Sequence, residues 1–82
     1  MKARVTVTLK PGVLDPQGKA IEGALKALSI EGVKSVRQGK VFDIVLEADD
    51  GDQAQKALGE ACERLLANTI VEAYAIELDP GP

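Results

Sequence analysis

The apolar residues of this chain repeat at every second position, then at helical spacing, then at every second position in two successive runs, then at helical spacing, and finally at every second position again. That order of periods constrains the fold more than any single residue. A period of two is a half-buried strand, and a period near 3.6 is a helix with one apolar stripe. Residues 3–10 put Val5, Val7 and Leu9 on one face and Arg4, Thr6, Thr8 and Lys10 on the other, and Pro11-Gly12 stops the strand. Asp15 is a good N-cap acceptor and Pro16 suits the first helical position. Ala20, Ile21, Ala24, Leu25 and Leu28 then form the stripe of a helix over 16–29, with Gly32 as terminator.

Val33–Val36 and Val41–Ala48 read as two strands around a hairpin turn at Gln38-Gly39. Asp49-Asp50-Gly51-Asp52 supplies capping carboxylates for a second helix from Asp52 to Ala67, whose stripe is Ala54, Leu58, Ala61, Cys62, Leu65 and Leu66. Asn68 is a natural left-handed terminator. Ile70–Leu78 is a last strand burying Tyr74, Ile76 and Leu78, and residues 79–82 form an expected disordered tail. The order βαββαβ predicts an α+β, ferredoxin-like domain over residues 1–78, an antiparallel sheet with both helices on one face. Thr, Val and Ala populate the other face, and pairing with a second copy is its simplest completion. A chain of 82 residues buries only roughly 60–65% of its unfolded surface, and with two aromatics, Phe42 and Tyr74, its core is thin, which favours a dimer or higher oligomer.

Composition narrows the function. Ten Lys and Arg against thirteen Asp and Glu give a net charge of −3, with no basic stripe and no stacking aromatics, so nucleic acid is an unsuitable partner. No apolar run approaches the roughly 20 residues that span a bilayer, and the N-terminal ten alternate instead of forming a signal-peptide core. The lone Cys62 allows no internal disulfide and fits a reducing cytoplasm.

The chemistry available is limited. Without histidine no Ser-His-Asp, Cys-His or His-based metal site can be built from this chain. Cys62 lies on the apolar stripe of its helix and reads as a small core residue. Gly39-Lys40 fails the phosphate-loop pattern, since Lys34 stands where the first glycine is required and Val41 replaces the Ser/Thr. Asp43 with Glu47, and Asp49, Asp50 and Asp52, could form a carboxylate pair or a cation site, but the closing Glu of a calcium loop is missing and a solvated helix cap is the better reading. Asp15, Gln17 and Lys19 could bind a ligand at the first helix start or simply cap it. Arg37 and Lys40 could contact an anion or an acidic partner surface, or be solvated.

Four blocks carry a resemblance: Gly12–Ile21 (GVLDPQGKAI), Ser35–Lys40 (SVRQGK), Cys62–Asn68 (CERLLAN) and Val71–Glu77 (VEAYAIE). In this order and at these spacings they resemble the PurS-type small subunit of phosphoribosylformylglycinamidine synthase, over Val5 to Glu77. The resemblance implies a non-catalytic bridging subunit of de novo purine biosynthesis. It would join a glutaminase subunit, which releases ammonia, to a large synthetase subunit, which uses ATP to activate the substrate amide. It implies a self-associating chain, dimer or tetramer, with no catalytic, cofactor or metal residue of its own, ATP, Mg and glutamine being used by the partner subunits. The matching positions are Leu14, Asp15, Gln17, Gly18, Arg37, Gly39, Lys40, Asn68 and Tyr74, as interface or architectural residues. Thr69 departs from a usual Pro, and Ala73 from a usual polar residue. A ferredoxin-like small-molecule-sensing domain is the alternative function; an acyl-phosphate hydrolase of the same fold would need an Arg in the Lys10–Leu14 loop, which has none.

Overall fold

The computed structural model describes residues 1–80. Three strands, β1 (Lys2–Leu9), β2 (Gly39–Val45) and β3 (Glu72–Leu78), form one antiparallel sheet in the order β2-β1-β3. Two α-helices, α1 (Pro16–Ala27) and α2 (Gly51–Ala61), alternate with them, and α2 runs on into a single π-helical turn at Cys62–Leu66. The α+β class and the antiparallel sheet match the sequence reading, with β1 central as in a split βαβ arrangement.

Strand pairing assigns each side chain to a face. Ala3, Val5 and Val7 of β1 stand in rows with Ile44, Phe42 and Lys40 of β2 and with Leu78, Ile76 and Tyr74 of β3. This face meets α2. Val5, Val7 and Cys62 are wholly buried, and Ala3, Ala54, Leu58 and Ala67 complete the buried apolar set. Tyr74, Ile76 and Leu78, all expected to be buried, are each half-buried, the first two as partners of the core cluster. On the opposite face a row of Asp43, Arg4 and Glu77 crosses the sheet, and Arg4 Nε donates to Asp43 Oδ1 at 2.8 Å. Val41, Thr6 and Ala75 form the neighbouring row.

Several local expectations need correction. Val33–Val36 is not a strand and Gln38-Gly39 is not a hairpin turn. The segment is extended in the place of the second strand, and β2 begins directly at Gly39. Two of its amide donors are taken by side chains instead of a ladder: Val36 N–H donates to Glu22 Oε2 (2.9 Å) and Gln38 N–H to Asp15 Oδ2 (2.7 Å). The helix α1 follows this segment rather than the sheet. It is not extensively packed against any strand or against α2, and Gly18 is its one buried residue. Within a single chain α2 is the helix that packs extensively on the sheet.

Gly32 is not what ends α1. Ser29 takes the left-handed position (φ 62°), its N–H donating to the Lys26 carbonyl and that of Ile30 to the Leu25 carbonyl, a Schellman closure with serine in glycine's usual place. Asn68 is not left-handed either. The π turn, closed by Ala67 N–H on the Cys62 carbonyl at 3.0 Å, already ends the helix, so Asn68 is free to accept from Ile70 N–H and start a turn. At the start of α2, Asp50 accepts from Gln53 N–H while Gln53 Oε1 accepts from Asp49 N–H, a reciprocal cap built from the expected acidic turn. Of the expected tail, Asp79 N–H donates to the Lys2 carbonyl at 2.8 Å, which fastens the first residue to the sheet. Gly81 and Pro82 lie outside the described residues.

Candidate functional site

Asp15 is the one charged residue buried in the described chain, at 5% exposure. Its two carboxylate oxygens have separate duties. Oδ1 accepts from Gly18 N–H at 2.9 Å and caps α1; Oδ2 accepts from Gln38 N–H at 2.7 Å and ties the extended segment to the helix start. These two backbone donors, with Arg37 nearby, hold the Asp15 carboxyl below its ordinary range against the opposing effect of burial. The result is an ionised carboxylate with both oxygens occupied, which suits a joint and not a general base.

The residues around this joint come from four places in the chain. Arg37 Nη2 donates to the Lys10 carbonyl (2.9 Å), and Lys10 Nζ donates to the Thr69 carbonyl (2.8 Å). Lys40, at the start of β2, lies 3.6 Å from Glu72 Oε2, and the other Glu72 oxygen accepts from Asn68 N–H. A shallow cavity of about 330 Å³ opens among Val7, Leu9, Asp15, Gln17, Lys40 and Glu72. Gly39 begins β2 so close to β1 that a Cβ there would stand 2.7 Å from the Val7 carbonyl oxygen, which is why only glycine fits.

Gly18 is under a tighter restriction. A Cβ would fall 2.3 Å from the Val36 carbonyl oxygen and 2.8 Å from Asp15 Oδ2. Helix propensity alone would make Gly18→Ala stabilising by about 1 kcal/mol. The clash with backbone reverses the sign, and we expect a net loss of roughly 1–3 kcal/mol in urea denaturation, the range for overpacking. An unchanged or raised midpoint would show that the segment yields to the added methyl at little cost.

Thus Asp15, Gln17, Gly18, Arg37, Gly39 and Lys40 meet at one end of the sheet, and Asn68 joins them through Glu72. Leu14 stands 70% exposed on the loop that enters the joint. Tyr74 does not belong to it: it sits beside Val7 on the α2 face, where the Glu63 carboxylate at its hydroxyl raises its pKa. Glu22, Gln38 and Glu72 were not singled out from sequence. Gln38 acts through its main-chain N–H, which leaves no side-chain signal, and the long carboxylates reach partners 14 and 32 positions away. Burial pushes the Cys62 thiol up, which makes it inert. Among the described residues, no group of three or more His, Cys, Asp or Glu is placed to hold a metal ion, and no helix is long and apolar enough to cross a membrane.

Comparison with known proteins matches residues 2–80 to the family model "PurS: Phosphoribosylformylglycinamidine (FGAM) synthase". A phosphoribosylformylglycinamidine synthase subunit PurS from Synechocystis is 45% identical over 75 residues, covering 92% of this chain and 75% of that protein. The solved structure of Bacillus subtilis PurS superposes with a TM-score of 0.83 at 43% identity, over 93% of this chain and 94% of that one. A chain in the structure of PurLQS from Thermotoga maritima gives a TM-score of 0.86 at 34% identity, over 93% of both. Family model, relatives and backbone agree along nearly the whole length, and the chain belongs to the PurS family of phosphoribosylformylglycinamidine synthase.

Proposed function

We propose that this chain is the bridging subunit of a phosphoribosylformylglycinamidine synthase complex, working as a self-associated unit that holds a glutaminase subunit against an ATP-dependent synthetase subunit in the cytoplasm. The observation that carries this reading is the match over residues 2–80, together with the backbone shared with a chain of Thermotoga maritima PurLQS. The chemistry of the complex explains the need for such a part. Ammonia free in neutral water is protonated and loses its nucleophilicity, so its transfer between two active sites requires a fixed contact that excludes solvent. ATP, Mg and glutamine belong to the partners in this reading. Leu14, Gln17, Arg37 and Lys40 offer exposed docking groups, while Asp15, Gly18, Gly39, Asn68 and Tyr74 hold the surfaces that carry them.

The test is reconstitution with purified glutaminase and synthetase subunits, following amidine formation with glutamine or with an ammonium salt as nitrogen source. Omitting this chain is expected to abolish the glutamine-dependent reaction and leave the ammonia-dependent one running. Full glutamine-dependent turnover without it would refute the bridging role.

A further inference from the structure

Leu14 and Gln17 lie one residue before and two after Asp15, and Arg37 and Lys40 lie one before and two after Gln38. All four side chains are exposed, and they are the docking groups of the bridging role proposed above. The two pairs belong to places 23 residues apart in the chain, and the Gln38 N–H on Asp15 Oδ2, at 2.7 Å, joins their centres. Its neighbours in the joint are hydrogen bonds too: Arg37 Nη2 on the Lys10 carbonyl, and the Val36 N–H on Glu22 Oε2. Gly18, the buried residue of α1, brings no side chain to the contact. Directional polar bonds, and not apolar packing, therefore set how the two pairs stand to one another.

Capping alone does not require this arrangement. At the start of α2, Asp50 accepts from Gln53 N–H through one oxygen and stays exposed. Asp15 makes the same cap at 5% exposure and carries its second oxygen to another element. A buried carboxylate is a poor source of net stability, because desolvation offsets much of the gain from its hydrogen bonds. What it supplies is a fixed distance between two elements. The cavity of about 330 Å³ has Asp15, Gln17, Gln38 and Lys40 in its wall, so a shift at the joint changes the shape that a partner meets.

We propose that Asp15 is a positioning residue for ammonia transfer: it holds Leu14 and Gln17 in register with Arg37 and Lys40, and that register seals the contact between this chain and its partners. The inference rests on the bridging role proposed above and deepens it. A loosened joint lets ammonia reach bulk water, where it takes up a proton and no longer attacks the activated amide. Glutamine is then hydrolysed to glutamate without a matching yield of amidine.

The reconstituted complex tests this by comparing amidine formed with glutamate released. With the unmodified chain the two amounts match. Asp15→Asn and Asp15→Ser both keep an oxygen that can cap α1, and both lack a second acceptor for the Gln38 N–H. With the chain saturating, each is expected to lower amidine per glutamate by roughly tenfold, within the up to about 100-fold cost of a contact misplaced by about 1 Å. The ammonia-dependent rate stays where it was. Asp50→Ala is the control for stability: it removes a cap of the same kind at the opposite end of the sheet, near Leu78, and leaves the ratio unchanged. A ratio unaltered in both Asp15 variants overturns the positioning role and leaves bridging in place. Full coupling regained by adding more of the variant chain also overturns it, because Asp15 would then act through affinity alone. An equal fall with Asp50→Ala assigns the effect to stability and overturns it too. Failure of the bridging reading shows separately, as full glutamine-dependent turnover with the chain left out.

Discussion

Asp15→Ala is expected to lower the melting temperature by about 10 °C, from the loss of one helix cap and one long-range tie at the few degrees per kcal/mol usual for a domain of this size. Each carboxylate oxygen satisfies a different backbone donor, so alanine leaves the Gly18 and Gln38 amides unpaired together. Asp15→Asn separates the two duties. Its one carbonyl oxygen can accept from Gly18 or from Gln38, but its amide group cannot replace the second acceptor. The pH dependence follows from the direction of the shift. The folded carboxyl titrates below the ordinary aspartate range, so its contribution is complete above the unfolded pKa and is lost as pH falls through the folded one. The gap in melting temperature between wild type and Asp15→Asn should be constant above about pH 5 and narrow below about pH 4. A gap independent of pH down to the acid transition would show that the charge contributes nothing.

Leu58→Ala is expected to remove roughly 2–5 kcal/mol, measured by urea denaturation. Leu58 lies on α2 at 4% exposure, and the rest of the buried apolar set is Ala, Val and Cys. Removing its branched end truncates the largest of the buried apolar side chains, and close-packed interiors feel such a loss. A domain of this length has a total stability on the order of 4–12 kcal/mol, so the loss is a large fraction of the whole. If the self-associated form is the folded unit, raising protein concentration recovers part of it by mass action. A change below about 1 kcal/mol would mean that the site collapses without a cavity.

Much of this architecture can be read from local pattern. The alternation in residues 3–10 defines β1 because each apolar residue truly faces α2, and Asp15-Pro16 locates the start of α1 because capping is a local event. The acidic turn at 49–52 caps α2 for the same reason. What could not be read are features that depend on a distant partner. Val33-Lys34-Ser35-Val36 has strand composition, but a strand needs a neighbour, and here the Glu22 carboxylate takes the Val36 amide first. Asn68 suits both a left-handed cap and a side-chain turn; the π turn that ends at Leu66 decides between them. The joint was half legible. Asp15, Gly18 and Gly39 announce themselves by residue type, while the contribution of the Gln38 main chain and the reach of Glu72 across the sheet have no counterpart in the linear pattern.

The charged row across the outer face of the sheet has a consequence for whatever is laid on it. Arg4 stands between Asp43 and Glu77, with the uncharged row of Val41, Thr6 and Ala75 alongside. An exposed ion pair of this kind adds little stability. A visiting protein that approached at the wrong angle, however, would press its own groups against an acid, a cation and another acid in strict sequence, and mismatched charge is costly to trap away from water. The row thus behaves as a key cut into the plate: it contributes little to adhesion and instead restricts which visitors, in which orientation, come to rest there.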